Sequence, residues 1–139
     1  MNVNYLAILI ASVLQFIFGA IWYSALFGKL WGQIHDFQKH SKEVQEKMMK
    51  EMGPFYGVQF LVTLVTTYIL ALLVGELSPA WSPFKIAGLA WLGFVVPTQV
   101  SGVIFGGTES KWICKKIAVL AGASFGCLQI AAAVFHFYK

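Results

Sequence analysis

The chain has 139 residues, 58% of them hydrophobic and only 12% charged, with a mean hydropathy of +0.71. A soluble domain carries about a quarter charged residues; here ten lysines and six acids are crowded into short segments, which excludes a soluble enzyme, a nucleic-acid binder and a disordered tail. The net charge of +4 comes without a single arginine and acts as an orientation signal rather than a nucleic-acid patch.

Segments 1–28, 52–75, 86–108 and 117–138 contain no Asp, Glu, Lys or Arg. Each exceeds the roughly 20 helical residues that cross a bilayer core. The expected fold is all-α, a polytopic integral membrane protein forming one domain over 1–139. Its four transmembrane helices lie at about 4–28, 54–75, 86–108 and 114–138. The first lacks a charged n-region and ends in bulky Trp22, Tyr23 and Phe27, so it reads as a retained span rather than a signal peptide. At 100° per residue its polar face gathers Asn4, Ser12, Gln15, Gly19 and Trp22.

Loop 29–51 holds five lysines and four acids. Ser41 is placed to cap a short amphipathic helix, Glu43/Lys47 and Glu46/Lys50 are spaced for ion pairs, and Val44, Met48, Met49 and Met52 form an apolar flank. This helix is expected on the membrane interface, ending at Gly53-Pro54. His35 and His40, beside Asp36 in the charged loop, are five residues apart and do not share a helical face, so no metal site is expected. The second span gathers Gln59, Thr63 and Thr66; loop 76–85 carries the turn residues Ser78, Pro79, Ser82 and Pro83.

In the third span Pro97 removes one backbone donor and is expected to kink the helix. Thr98, Gln99 and Ser101 can re-satisfy the freed backbone, and Gly88, Gln99, Gly102 and Gly106 share a face. Loop 109–116 brings Lys111, Lys115 and Lys116. The last span gathers Ala118, Gly122, Gly126, Gln129, Ala133 and His136. Cys114 and Cys127 are about 20 Å apart along it, far beyond the ~7 Å reach of a disulfide. Eight of the ten lysines sit in loops 29–51 and 109–116, which places those loops in the cytoplasm and both termini outside. Trp22, Tyr23, Trp31 and Trp112 are expected as anchors at the inner interface, with Tyr5, Trp81 and Tyr138 at the outer.

Each span thus carries one glutamine: Gln15, Gln59, Gln99 and Gln129. Either they are interhelical glue, with Gln99 meeting Gln15 or Gln129, or they line a path for an uncharged or weakly polar solute. The spans hold no carboxylate and no lysine, which argues against proton-coupled export or cation conduction. No nucleophile–base set, paired carboxylates or phosphate loop occurs. The expectation is a non-catalytic structural or accessory protein without cofactor or metal. Its partners are the lipid bilayer and further copies of itself or an unidentified membrane protein. Of the two small-residue faces, Gly102/Gly106 and Gly122/Gly126, one is expected to make the subunit contact.

The run Trp22-Tyr23-Ser24, then Phe27-Gly28-Lys29 and Trp31, with the opening Asn2-Val3-Asn4-Tyr5-Leu6-Ala7-Ile8 and the polar break late in span three, resembles the small four-span membrane proteins grouped as domain of unknown function 1761. The resemblance covers nearly the whole chain and implies the four-span topology. It implies no activity. The sequence departs from the pattern at Ala25, where proline is frequent, and at Gly106-Gly107, where an acidic and a basic residue are common.

The topology is tested by thiol labelling. A membrane-impermeant reagent is expected to miss both cysteines in sealed right-side-out vesicles and, once the vesicles are opened, to label Cys114 alone; labelling of Cys114 before opening reverses the orientation.

Overall fold

The computed structural model describes residues 3–138; Asn2 of the opening motif and the terminal Lys139 lie outside the described residues. All regular structure among them is helical. Helix α1 (Tyr5–Ile21) starts where the Asn4 side chain accepts a hydrogen bond from the Ala7 N–H at 3.0 Å, satisfying one of the donors that every helix start leaves over. It continues into a π-helical turn, Trp22–Leu26, and then α2 (Gly28–Ile34). The return loop is stapled by glutamine amides: Gln38 donates to the Lys29 carbonyl at 3.3 Å, and Gln45 to those of Phe37 and His40 at 3.1 and 3.0 Å.

Helix α3 (Lys42–Leu77) has 36 residues. Its start is the expected one, with the Ser41 hydroxyl accepting from the Val44 N–H at 3.4 Å. Its course differs from expectation: the amphipathic segment does not end at Gly53-Pro54 but runs straight into span two, with Pro54 inside the helix. A proline costs one helical bond, and here residues 50–54 are all exposed, so water or lipid headgroups can serve the orphaned carbonyl. The spaced pairs Glu43/Lys47 and Glu46/Lys50 do not close. Among the described residues the ion pairs are Lys39–Asp36 (3.1 Å) and Lys111–Glu109 (3.2 Å). Exposed pairs gain only a few tenths of a kcal/mol, too little to hold two long side chains in one geometry.

Span three begins with α4 (Pro83–Ala90), capped by Ser82, whose hydroxyl accepts from the Lys85 N–H, with Pro83 in the first turn. A second π-helical turn, Trp91–Val95, leads into α5 (Val96–Phe105). The distortion expected from Pro97 therefore takes the form of a widened turn just before it, where the Val96 N–H reaches back five residues to the Trp91 carbonyl. The Thr98 hydroxyl donates to the Phe94 carbonyl at 2.7 Å. Helix α6 (Ile113–Phe137) closes the chain. Four helical stretches, Tyr5–Leu26, Lys42–Leu77, Pro83–Phe105 and Ser110–Phe137, are long and apolar enough to span a membrane.

The last helix is the axis of the bundle: α6 packs on α1, α3, α4 and α5, while α3 packs also on α1 and α4. The hydrophobic core lies in the half nearest the termini, where Ala7, Ile8, Ala11, Leu70, Val74, Ile86, Ala87, Leu128, Ala131, Ala132, Val134 and Phe135 are buried together. On the lysine-rich side the packing thins. No residue of α3 before Thr67 is buried, and Val103 is the buried residue of α5. Phe94 and Phe105, 77% and 88% exposed, present the broad apolar surface that a span shows to lipid.

Gly122 and Gly126 admit aromatic rings from span one: a Cβ on Gly122 would lie 2.7 Å from the Trp22 ring, and one on Gly126 would run into the Phe18 ring. Gly122→Ile or Gly126→Ile is expected to cost about 1–3 kcal/mol by overpacking, read as a lowered melting temperature in detergent. Gly102→Ile, where nothing lies within 4 Å, overpacks nothing within the chain and is expected to leave its helical content unchanged.

Candidate functional site

A polar side chain inside hydrocarbon has no water to bond, so each must find a protein partner. Gln15 and Ser12 of α1 are buried at 4% and 0% exposure. The Ser12 hydroxyl donates to the Ile8 carbonyl one turn back, at 2.8 Å. The Gln15 amide donates across the bundle to the Thr67 hydroxyl at 2.7 Å and to the Ala11 carbonyl at 3.2 Å. Thr67, fully buried, passes its own proton to the Thr63 carbonyl at 2.7 Å. Gln15, Thr67 and Thr63 thus form a closed seam between spans one and two.

The second seam joins span three to α6. The Trp91 indole N–H donates to the Ala121 carbonyl (2.9 Å) and the Ser124 hydroxyl (3.1 Å). The Ser124 hydroxyl lies 3.2 Å from the Gln99 Oε1, to which it donates, and 3.1 Å from the Ala121 carbonyl. The Gln99 amide donates to the Leu120 carbonyl at 3.4 Å. A third contact crosses from span one, where the Trp22 indole donates to the Val119 carbonyl at 3.0 Å. The two tryptophans that open the two π turns therefore clasp α6 at neighbouring carbonyls. A helical carbonyl already engaged along its own helix has a second lone pair, and an indole N–H fits it without cost to the helix.

The four glutamines are not brought together. Gln15 and Gln99 have the partners just described, rather than each other or Gln129. Gln129 reaches the Phe84 carbonyl at 3.4 Å, and Gln59 is exposed, 3.5 Å from the Thr63 hydroxyl on its own helix. Thr66 is exposed and donates to the Val62 carbonyl at 3.0 Å. Pro97 and Thr98 are exposed as well. Gly19 is half-buried with nothing within 4 Å; at Gly106 a Cβ would meet the carbonyl of Gly102 in its own helix. Trp22 is half-buried, with its indole N–H on the Val119 carbonyl. Trp31 and Trp112 keep interfacial company, with Lys116 Nζ 5.8 Å from the Trp31 ring and Lys115 Nζ 5.2 Å from the Trp112 ring. Among the described residues no group of three or more His, Cys, Asp or Glu side chains is gathered for a metal.

Thr67, Trp91 and Ser124 were not among the residues singled out from the sequence. Thr67 could have been found from its spacing to Leu70 and Val74, a stripe that faces the core. Trp91 could have been found from its place within a span, where an indole N–H demands an acceptor.

A four-span, all-α bundle joined by pairwise polar seams is a small multi-pass membrane protein. The family model for the protein of unknown function designated DUF1761 matches residues 6–136, and the chain belongs to that family. No curated protein and no solved structure matches it.

The Gln15–Thr67 seam is tested by a double-mutant cycle. Gln15→Leu, Thr67→Val and the pair are expected to show a coupling of about 0.6–2 kcal/mol in thermal or denaturant unfolding in detergent. Additive losses would mean that the two side chains do not meet.

Proposed function

We propose that the protein is a non-catalytic structural or accessory component of the membrane, self-associating, with its lysine-rich loops in the cytoplasm. The observation that carries this reading is the pairing of the interior. Gln15 is consumed by Thr67, and Gln99 and Trp91 are consumed by Ser124 and the α6 carbonyls. A solute path would need such groups free to exchange partners with the solute, and here Gln15, Gln99 and Trp91 each donate to a neighbouring helix. Pairing of this kind serves shape: it sets the depth and rotation of each helix against α6.

Self-association is supported by what stays outside those seams. The Gln59 amide faces outward with only a 3.5 Å contact within its own helix, a costly arrangement against lipid. Gly102 is exposed and leaves room for a close neighbour, whereas the Gly122/Gly126 face is already filled by Trp22 and Phe18. A second copy would cover both features.

Gln99→Leu combined with a mass measurement separates the readings. For a structural protein the variant is expected to keep its fold and its solubilised mass, with a slightly lower melting temperature. For a facilitator of an uncharged or weakly polar solute, it would abolish uptake into proteoliposomes with mass and melting temperature unchanged. Gln59→Leu and Gly102→Ile are expected to lower the solubilised mass toward that of one chain; a monomeric wild type in mild detergent would end the self-association reading.

A further inference from the structure

On the lysine-rich side lies a groove of about 210 Å³, lined by Trp22, Phe27, Leu30, Lys115, Ala118 and Val119. It lies where the chain leaves the π turn of span one and enters α2, diverging from the start of α6. Its back is closed by the Trp22–Val119 hydrogen bond and by the Phe27 ring, 4.6 Å from the Trp22 ring, so the lining offers hydrocarbon and aromatic surface along its length. Lys115 lines its edge, exposed, with its ammonium 5.2 Å from the Trp112 ring and without a carboxylate within 4.0 Å among the described residues. Lys116, whose Nζ lies over Trp31, follows it in sequence and is likewise unpaired among them. Of the five acids on this side, Asp36 and Glu109 are engaged by Lys39 and Lys111, and Glu43, Glu46 and Glu51 lie exposed on α3.

We infer that this groove holds an anionic glycerophospholipid, one stretch of acyl chain lying along Leu30, Ala118 and Val119 and the phosphate meeting the ammonium of Lys115. The volume is smaller than the roughly 300 Å³ at which pockets begin to enclose a whole small molecule, which suits part of one chain with the rest of the lipid in the bilayer. The charge is complementary: eight of ten lysines lie on this side of the membrane, and the groove places one of them where an apolar slot meets the headgroup level. A lysine stem can lie along the slot while its ammonium stays with the phosphate.

Native mass spectrometry of the protein released from micelles tests this with phosphatidylglycerol and phosphatidylcholine of identical chains. Wild type is expected to retain phosphatidylglycerol about fivefold more than phosphatidylcholine, the preference that one lysine at an anionic surface supplies. Lys115→Glu is expected to bring that ratio to one or below, and Ala118→Phe, which fills the groove, to reduce retention of both lipids. Lys85→Glu, on the opposite face, is expected to keep the wild-type ratio. If Lys115→Glu does not fold, Lys115→Gln carries the same expectation. Wild-type retention by the Lys115 variants or by Ala118→Phe would overturn the assignment. So would displacement of the lipid by millimolar inorganic phosphate, which would mean a bare anion site. Absence of lipid preference with a changed oligomeric mass in Lys115→Glu would instead place a second copy in the groove and overturn it equally.

Discussion

An N–H inside a bilayer has one alternative to a protein acceptor, and that alternative costs several kcal/mol. The arrangement of this bundle follows from where such acceptors are available. Helix α6 supplies carbonyls at Val119, Leu120 and Ala121 within a single turn, and Trp22, Gln99 and Trp91 converge on them from two different spans. Ser124 ties the group together, accepting from one side chain and donating to another. With spans one and three both hydrogen-bonded to α6, span two packs on α1, α4 and α6 through its buried side, and its own polar link, the Gln15 amide to the Thr67 hydroxyl, is made with α1. The central place of the last helix in the packing thus has a hydrogen-bonding cause as well as a steric one.

The steric side is complementary. Gly122 and Gly126 are small because the Trp22 and Phe18 rings lie over them, and the alanines at 131 and 132 are fully buried against the apolar half near the termini. Small residues let the backbones approach, and close backbones bring indole and amide donors within reach of helical carbonyls. Tight packing near the termini and looser packing on the lysine-rich side divide the molecule into a closed half and a spread half. The features that point outward, Gln59, Gly102 and the groove beside Lys115, all belong to the spread half.

Span number, the Ser41 cap and the inward turn of Ser12 and Gln15 were legible in the sequence because charge distribution, capping chemistry and a regular 100° step govern them. Family membership was legible from the Trp22–Trp31 region. The faces of span three were not. A regular wheel groups Gln99 with Gly102 and Gly106, yet the buried residue is Val103 and Gly102 is exposed. The π turn at Trp91–Val95 adds a residue to one turn, so Ala87, Trp91, Val95, Gln99 and Val103 succeed one another at intervals of four on the side facing the bundle. The same happens after Trp22, where Phe27, five residues on, stacks on its ring while Leu26 is 62% exposed. Partner choice also escaped the sequence, since Gln15 could be matched to Thr67 only once the depth of each span was fixed.

The π turn has a consequence for how the length of this chain can vary. A widened turn is a helix carrying one residue more than its neighbours require, absorbed locally so that both flanks keep their contacts. Removing one residue between Trp91 and Val95 would take out that surplus and restore an ordinary helix, leaving Trp91 on Ala121 and Gln99 on Ser124 and Leu120. The same deletion in the regular stretch between Thr67 and Leu70 would rotate one flank of α3 by about 100° against the other and turn either Thr67 or the Leu70 and Val74 side off the core. Losing a residue is therefore better tolerated at the π turn than in the regular buried helix.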